Sequence, residues 1–63
     1  MAISLAAARK NAGLNQSQVA KKLGITRETL GNWELGKTKI PYYRLLALSK
    51  LYKLEVTQLS LPG

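Results

Sequence analysis

Cysteine and histidine are both missing from this sequence of 63 residues, which excludes a disulfide framework and the usual zinc spacings as staples for the fold. A chain of this length sits near the lower limit at which an apolar core sustains a fold alone, so packing has to hold it together. One domain, residues 1–63, is all it is expected to have room for. Acidic residues are scarce as well, three Asp and Glu against ten Lys and Arg. Without His or Cys, and with three scattered acids, no acid–base pair or nucleophile constellation can be assembled. The chain is therefore not expected to be an enzyme, and no metal or other cofactor is expected. The uncharged run ahead of Arg9 is too short to cross a bilayer and lacks the basic start of a signal peptide. No targeting or anchoring segment is expected, and the absent cysteines fit the cytoplasm.

What is present in excess is positive charge. A formal net charge of +7 on so small a body predicts attraction to a polyanion, with nucleic acid the leading partner. A charge excess of this kind also serves solubility, and an anionic membrane surface is the other partner that charge alone suggests. The basic residues, however, fall on loops and a helix start and not along one amphipathic face.

Apolar spacing divides the chain into helices. Ile3, Leu5, Ala6 and Ala8 with alanine-rich filler predict a first helix from about Ser4 to Asn11, ended by Gly13. Asn15 can cap a second helix over Gln16 to Leu23, whose buried stripe is Val19, Ala20 and Leu23, with Gly24 free to take the left-handed conformation after it. Thr26 is the next cap, ahead of a third helix from Arg27 to Leu35 that places Leu30 and Trp33 on one face and ends at Gly36. Gly36 to Pro41 reads as an exposed basic loop. A fourth helix is expected from about Tyr42 to Tyr52, burying Leu45, Leu48 and Tyr52 or Leu51. Val56 to Leu59 adds a short fifth, and Leu61, Pro62 and Gly63 stop the chain. No internal repeat and no strand-like alternation is found, so the fold class is all-α, a compact bundle of five short helices.

Two short helices joined by a tight turn at Gly24 and Ile25 have the spacing of a helix-turn-helix. In that unit the second helix turns its outer face to the major groove, and the outer face here is Arg27, Glu28, Gly31 and Asn32. The run Gly13-Leu14-Asn15-Gln16, then Ala20, Leu23-Gly24-Ile25-Thr26, Leu30, Glu34, Gly36-Lys37-Thr38-Lys39 and Pro41 resembles the phage-repressor-like family of lambda repressor and Cro, also called XRE-type. The likeness covers nearly the whole chain. It implies a lambda-repressor-like fold with helices 2 and 3 as the helix-turn-helix, and a transcriptional repressor of phage, prophage or plasmid type. The partner it implies is a double-stranded DNA operator. One copy has too few contacts for tight specific binding, so a homodimer, at least on DNA, is expected on a pseudo-palindromic site, with a dimer surface that includes the stretch Leu54 to Leu61.

The resemblance also assigns roles. Arg27, Glu28, Thr29 and Asn32 fall where family members read base edges, and their chemistry suits this. Arg pairs with guanine, Asn with adenine, Glu accepts from a cytosine amino group and Thr meets a thymine methyl. Asn15, Gln16, Lys37, Thr38 and Lys39 fall at phosphate-contacting positions, with Lys10 and Arg44 as further candidates; such contacts position the protein without reading sequence. Arg9 and Glu34 match a partly buried ion pair between the first and third helices. The chain departs from the pattern in four places. Leu35 replaces a polar residue, Gly31 weakens the recognition helix by about 1 kcal/mol relative to Ala, the stretch Pro41 to Leu45 aligns only with a one-residue shift, and Glu55 stands where relatives often have a capping Ser. The competing reading is a protein-binding adaptor or antitoxin that reuses the fold, for which Leu35, Leu54 and Leu61, expected to be exposed, are the candidate surface.

Overall fold

A computed structural model describes residues 2–62. Met1 and Gly63, the latter part of the expected terminating tail, lie outside the described residues. Four α-helices succeed one another: α1 (Leu5–Asn11), α2 (Gln16–Leu23), α3 (Arg27–Leu35) and α4 (Tyr42–Leu51). Each start has a local cause. Ser4 Oγ accepts from the Ala7 amide at 3.1 Å, and Thr26 Oγ1 accepts from Thr29 at 3.1 Å. Asn15 and Gln18 exchange reciprocal bonds of 2.8 Å, each side chain taking the other's backbone N–H. These bonds satisfy amides that the first turn of a helix leaves without a carbonyl. Pro41 precedes α4 with no side-chain cap, and its carbonyl takes the amides of Arg44 and Leu45 at 3.0 Å each. Proline's fixed φ and missing N–H suit it to that position.

The expected fifth helix is a single 3-10 turn, Val56–Gln58, so the bundle has four α-helices among the described residues. The extended segment beyond the turn is the reason. Leu59 leaves the turn extended and buries its side chain, and Leu59–Ser60 (β2) pairs in parallel with Ile3–Ser4 (β1), Ile3 opposite Leu59. Val56 and Thr57 are β-branched and poor at sustaining a helix, and one turn is all the room between Glu55 and that pairing. Ile3, expected in the first helical stripe, belongs to this strand pair. Two-residue strands are too short to reveal themselves by alternation, and the pair escapes an all-α reading for that reason.

The core gathers Leu5 and Ala8 from α1, Val19 from α2, Leu30 and Trp33 from α3, Leu45 and Leu48 from α4, then Tyr52 and Leu59. Every α-helix thus contributes, and the strand pair brings the two ends of the chain together over the same core. Leu54, expected at the surface, is half-buried and packed against the core, as are Val56 and Leu51. Of the leucines in the stretch expected to meet a second copy, Leu61 alone is exposed.

The Tyr52 hydroxyl is buried with no hydrogen-bond partner among the described residues. Its pKa is pushed from 10.0 to about 12, first by burial and then by the nearby Glu34 carboxylate, with Arg9 pulling the other way. A phenol that holds its proton more tightly folded than unfolded contributes stability below the unfolded pKa. That contribution is lost as pH rises through the folded one. Tyr52→Phe removes an unpaired polar group and is expected to raise stability by on the order of 1 kcal/mol. Denaturant titrations between pH 10 and about 12 are expected to fall less steeply for the variant than for the wild type.

Candidate nucleic-acid interface

The turn between α2 and α3 is made by Gly24 at φ 70°, a left-handed conformation that costs a residue with a Cβ about 1–2 kcal/mol. It lets the Ile25 amide return to the Ala20 carbonyl at 3.0 Å, so α3 begins soon after the end of α2. Leu30 and Trp33 then anchor the inner face of α3 in the core. The opposite face carries Arg27, Glu28 and Leu35 exposed, with Gly31 and Asn32 half-buried.

A chain of polar contacts fixes this face to the rest of the fold. Arg9 Nε donates to Glu34 Oε2 at 2.8 Å, with side chains only 10% and 6% exposed; Nη2 reaches Oε1 at 3.4 Å, and Nη1 donates to the Leu14 carbonyl at 3.0 Å. Glu34 Oε1 also accepts from Gln16 Nε2 at 2.8 Å, and Gln16 Oε1 accepts from Arg27 Nε at 3.4 Å. One carboxylate on α3 therefore takes donors from α1 and α2, and Gln16 passes the connection on to Arg27.

Two adjoining notches result, sharing Gln16 and Arg27. The first is lined by Arg9, Asn15, Gln16, Ser17 and Arg27. It holds two guanidinium side chains and the first turn of α2, where the amides of Gln16 and Ser17 have no intrahelical carbonyl to bond. Positive charge and free N–H groups at a helix start suit a phosphate oxygen. The second is lined by Gln16, Arg27, Glu28, Gly31, Asn32 and Leu35 and runs along α3. It mixes donors, an acceptor and an apolar wall, the combination needed to distinguish base edges.

Of the other sequence candidates, Asn15 alone lines one of these notches; Thr38 and Lys39 line a separate cavity with Trp33, Gly36, Ile40, Leu61 and Pro62. Lys37, Thr38 and Lys39 are exposed in the loop after α3, where the Lys37 amide donates to the Asn32 carbonyl at 2.9 Å. Thr29 is exposed at most in part and shares a 2.8 Å hydrogen bond with the Thr26 hydroxyl, so its methyl is the group left to offer. Asn15 spends its side-chain oxygen on the cap. Lys10 is exposed in the last turn of α1 and lines neither notch. Arg44 is half-buried, donates from Nη1 to the Leu23 carbonyl at 2.7 Å and lies 5.2 Å from the centre of the Tyr43 ring; it closes the end of α2 against α4. The sequence reading passed over Ser17 and Gln18. Gln18 was detectable, because Asn with Gln three positions on is a capping-box pattern. No group of three or more metal-ligating side chains occurs among the described residues, and no helix there is long and apolar enough to cross a membrane.

A family described as helix-turn-helix matches residues 5–59 of the chain. No curated protein and no solved structure matches it.

The Arg9–Glu34 pair is buried enough that removing one partner strands the other. Arg9→Ala is expected to lower stability by roughly 3–5 kcal/mol, read as a depressed melting temperature. Replacing both residues by apolar ones is expected to recover most of that loss.

Proposed function

The chain belongs to the XRE-type helix-turn-helix family of DNA-binding transcription regulators, and from that premise we propose that it is a sequence-specific repressor binding a pseudo-palindromic double-stranded operator as a homodimer. The observation that carries this reading is the placement of Arg27, Glu28 and Asn32 side by side on the outer face of α3, next to a basic notch at the start of α2. In this reading α3 lies in the major groove. Arg27 takes guanine, Asn32 adenine, Glu28 a cytosine amino group, and the Thr29 methyl a thymine. Gln16, Asn15, Lys37, Thr38 and Lys39 hold phosphates on either side, with Lys10 and Arg44 as outer contacts, and so set the register in which α3 reads. A net charge of +7 drives the approach and makes affinity fall with salt.

One copy makes too few base contacts for tight specific binding, so two copies are placed on half-sites whose centres lie one helical turn apart. Since Leu54 and Leu59 face the core, contact between copies falls to the exposed residues of that stretch, Glu55, Thr57, Gln58, Ser60 and Leu61. Repression results from occupancy of the operator, in the cytoplasm. The competing reading, a protein-binding adaptor or antitoxin, draws its support from Tyr42, Tyr43 and Leu46, exposed on α4.

A salt-dependent titration separates these readings, using wild type, Arg27→Ala and Lys37→Ala against an operator selected from random duplexes and a scrambled control. Wild type is expected to prefer the operator, and Arg27→Ala to lose about 1–3 kcal/mol of that preference. Lys37→Ala is expected to weaken both duplexes alike and to flatten the salt slope by about one. If no duplex is preferred and binding vanishes at moderate salt, the regulator reading fails in favour of the adaptor.

A further inference from the structure

We propose that the notch between Gly31 and Leu35 on α3 is a reading pocket for the 5-methyl group of a pyrimidine, which makes Leu35 a specificity-determining residue. The inference rests on the DNA-binding function proposed for the same face and deepens it. Arg27, Glu28, Gly31, Asn32 and Leu35 are spaced one, three, one and three residues apart, the repeat that places side chains along one face of a helix. Three of the five, Arg27, Glu28 and Asn32, are ordinary partners for water, and Gly31 has no side chain. Leu35 is apolar and 69% exposed.

A single exposed leucine needs no explanation; the conjunction with Gly31 does. Gly31 sits inside α3 with no left-handed backbone to require it, and a Cβ built there meets only Gln16 Nε2, at 3.7 Å. Neither conformation nor crowding demands glycine at this position, yet helix propensity opposes it. Its effect is to leave bare the floor of a shallow surface notch of about 360 Å³, walled by Leu35 and flanked by Arg27, Glu28 and Asn32. The notch beside it holds two arginines and no acid. This one has the Glu28 carboxylate on its rim, which repels a phosphate and favours a base edge. Among the groups that base edges display in the major groove, the one that seeks an apolar wall is the pyrimidine 5-methyl. Thymine carries it always, and cytosine when methylated. With Arg27 and Asn32 reaching bases on either side, the base edge between them meets the missing side chain of Gly31 and the flank of Leu35.

The test replaces each thymidine of the selected operator in turn by deoxyuridine, which removes the methyl and nothing else, and each cytidine by 5-methylcytidine. For wild type we expect one position per half-site where loss of the methyl weakens binding about fourfold, the burial of one such group. If the methyl comes from methylated cytosine, the same factor appears as a gain at one cytidine position. Leu35→Ala is expected to erase that difference while retaining preference for the operator over a scrambled duplex. Gly31→Ala places a methyl on the floor of the notch, where the pyrimidine methyl would sit, and is expected to melt at a higher temperature, yet to bind the methylated and unmethylated duplexes equally. A wild type that selects an operator but is indifferent to every methyl overturns the pocket alone, as does a Leu35→Ala protein that keeps the difference. A wild type that selects no operator overturns the DNA-binding reading and the pocket with it.

Discussion

The position of α3 depends on one buried carboxylate. Glu34 receives Arg9 from α1 and Gln16 from α2 while itself belonging to α3, so three helices are referred to a single point. Apolar packing of Leu30 and Trp33 is non-directional and tolerates small rotations of α3 about its axis. Hydrogen bonds to a buried carboxylate do not, because their strength falls steeply with angle. Such a pair adds little to net stability. Its consequence is orientation, and through Gln16 that orientation extends to Arg27 at the first turn of the same helix. If Arg27 reads a base as proposed, it has to be held to within a fraction of an ångström, and its 3.4 Å contact with Gln16 ties it to the core.

A small core is covered economically. Among the described residues, Ile3–Ser4 and Leu59–Ser60, far apart in sequence, pair beside it. Ile3 pairs with Leu59, and Leu59 enters the core with Leu5 and Tyr52. The same economy explains Arg44, which closes the open carbonyl end of α2 at Leu23, where a cation also opposes the negative end of the helix dipole. Leu54 and Val56 are half-buried because they pack against the same core.

What the sequence revealed and what it concealed divide along the range of the interaction. Asn15, Gly24, Thr26 and Gly36 act within a few residues of themselves, and the limits of α2 and α3 derive from them directly. The candidate interface is built on those two helices, so its outer stripe was legible too. The Arg9–Glu34 link spans 25 positions and came within reach only through resemblance to a family. The strand pair joins opposite ends of the chain and has no local signature, and the fifth helix failed because of it: Leu59 has helical spacing in the sequence and is extended in the fold. The Gln16–Glu34 bond and the Gly31 notch require knowing which faces meet, and no spacing rule supplies that.

The three side chains on the stripe that contribute least to folding say most about its use. Glu28 lies in the first turn of α3, where a negative charge is favoured by the dipole; that is a reason for it to be tolerated, but not to face a polyanion. Gly31 forfeits about 1 kcal/mol of helix propensity in a domain whose whole margin is on the order of 5–15 kcal/mol. Leu35 exposes apolar surface that one more polar residue would remove. The last two choices are locally unfavourable, Glu28 is merely tolerated, and all three border the same notch. Departures from local consistency that converge on one small surface are what a binding site leaves in a sequence. On the reading proposed above, a carboxylate, a missing side chain and an apolar wall suit the edge of a base, where amino groups and methyls are displayed, better than a phosphate.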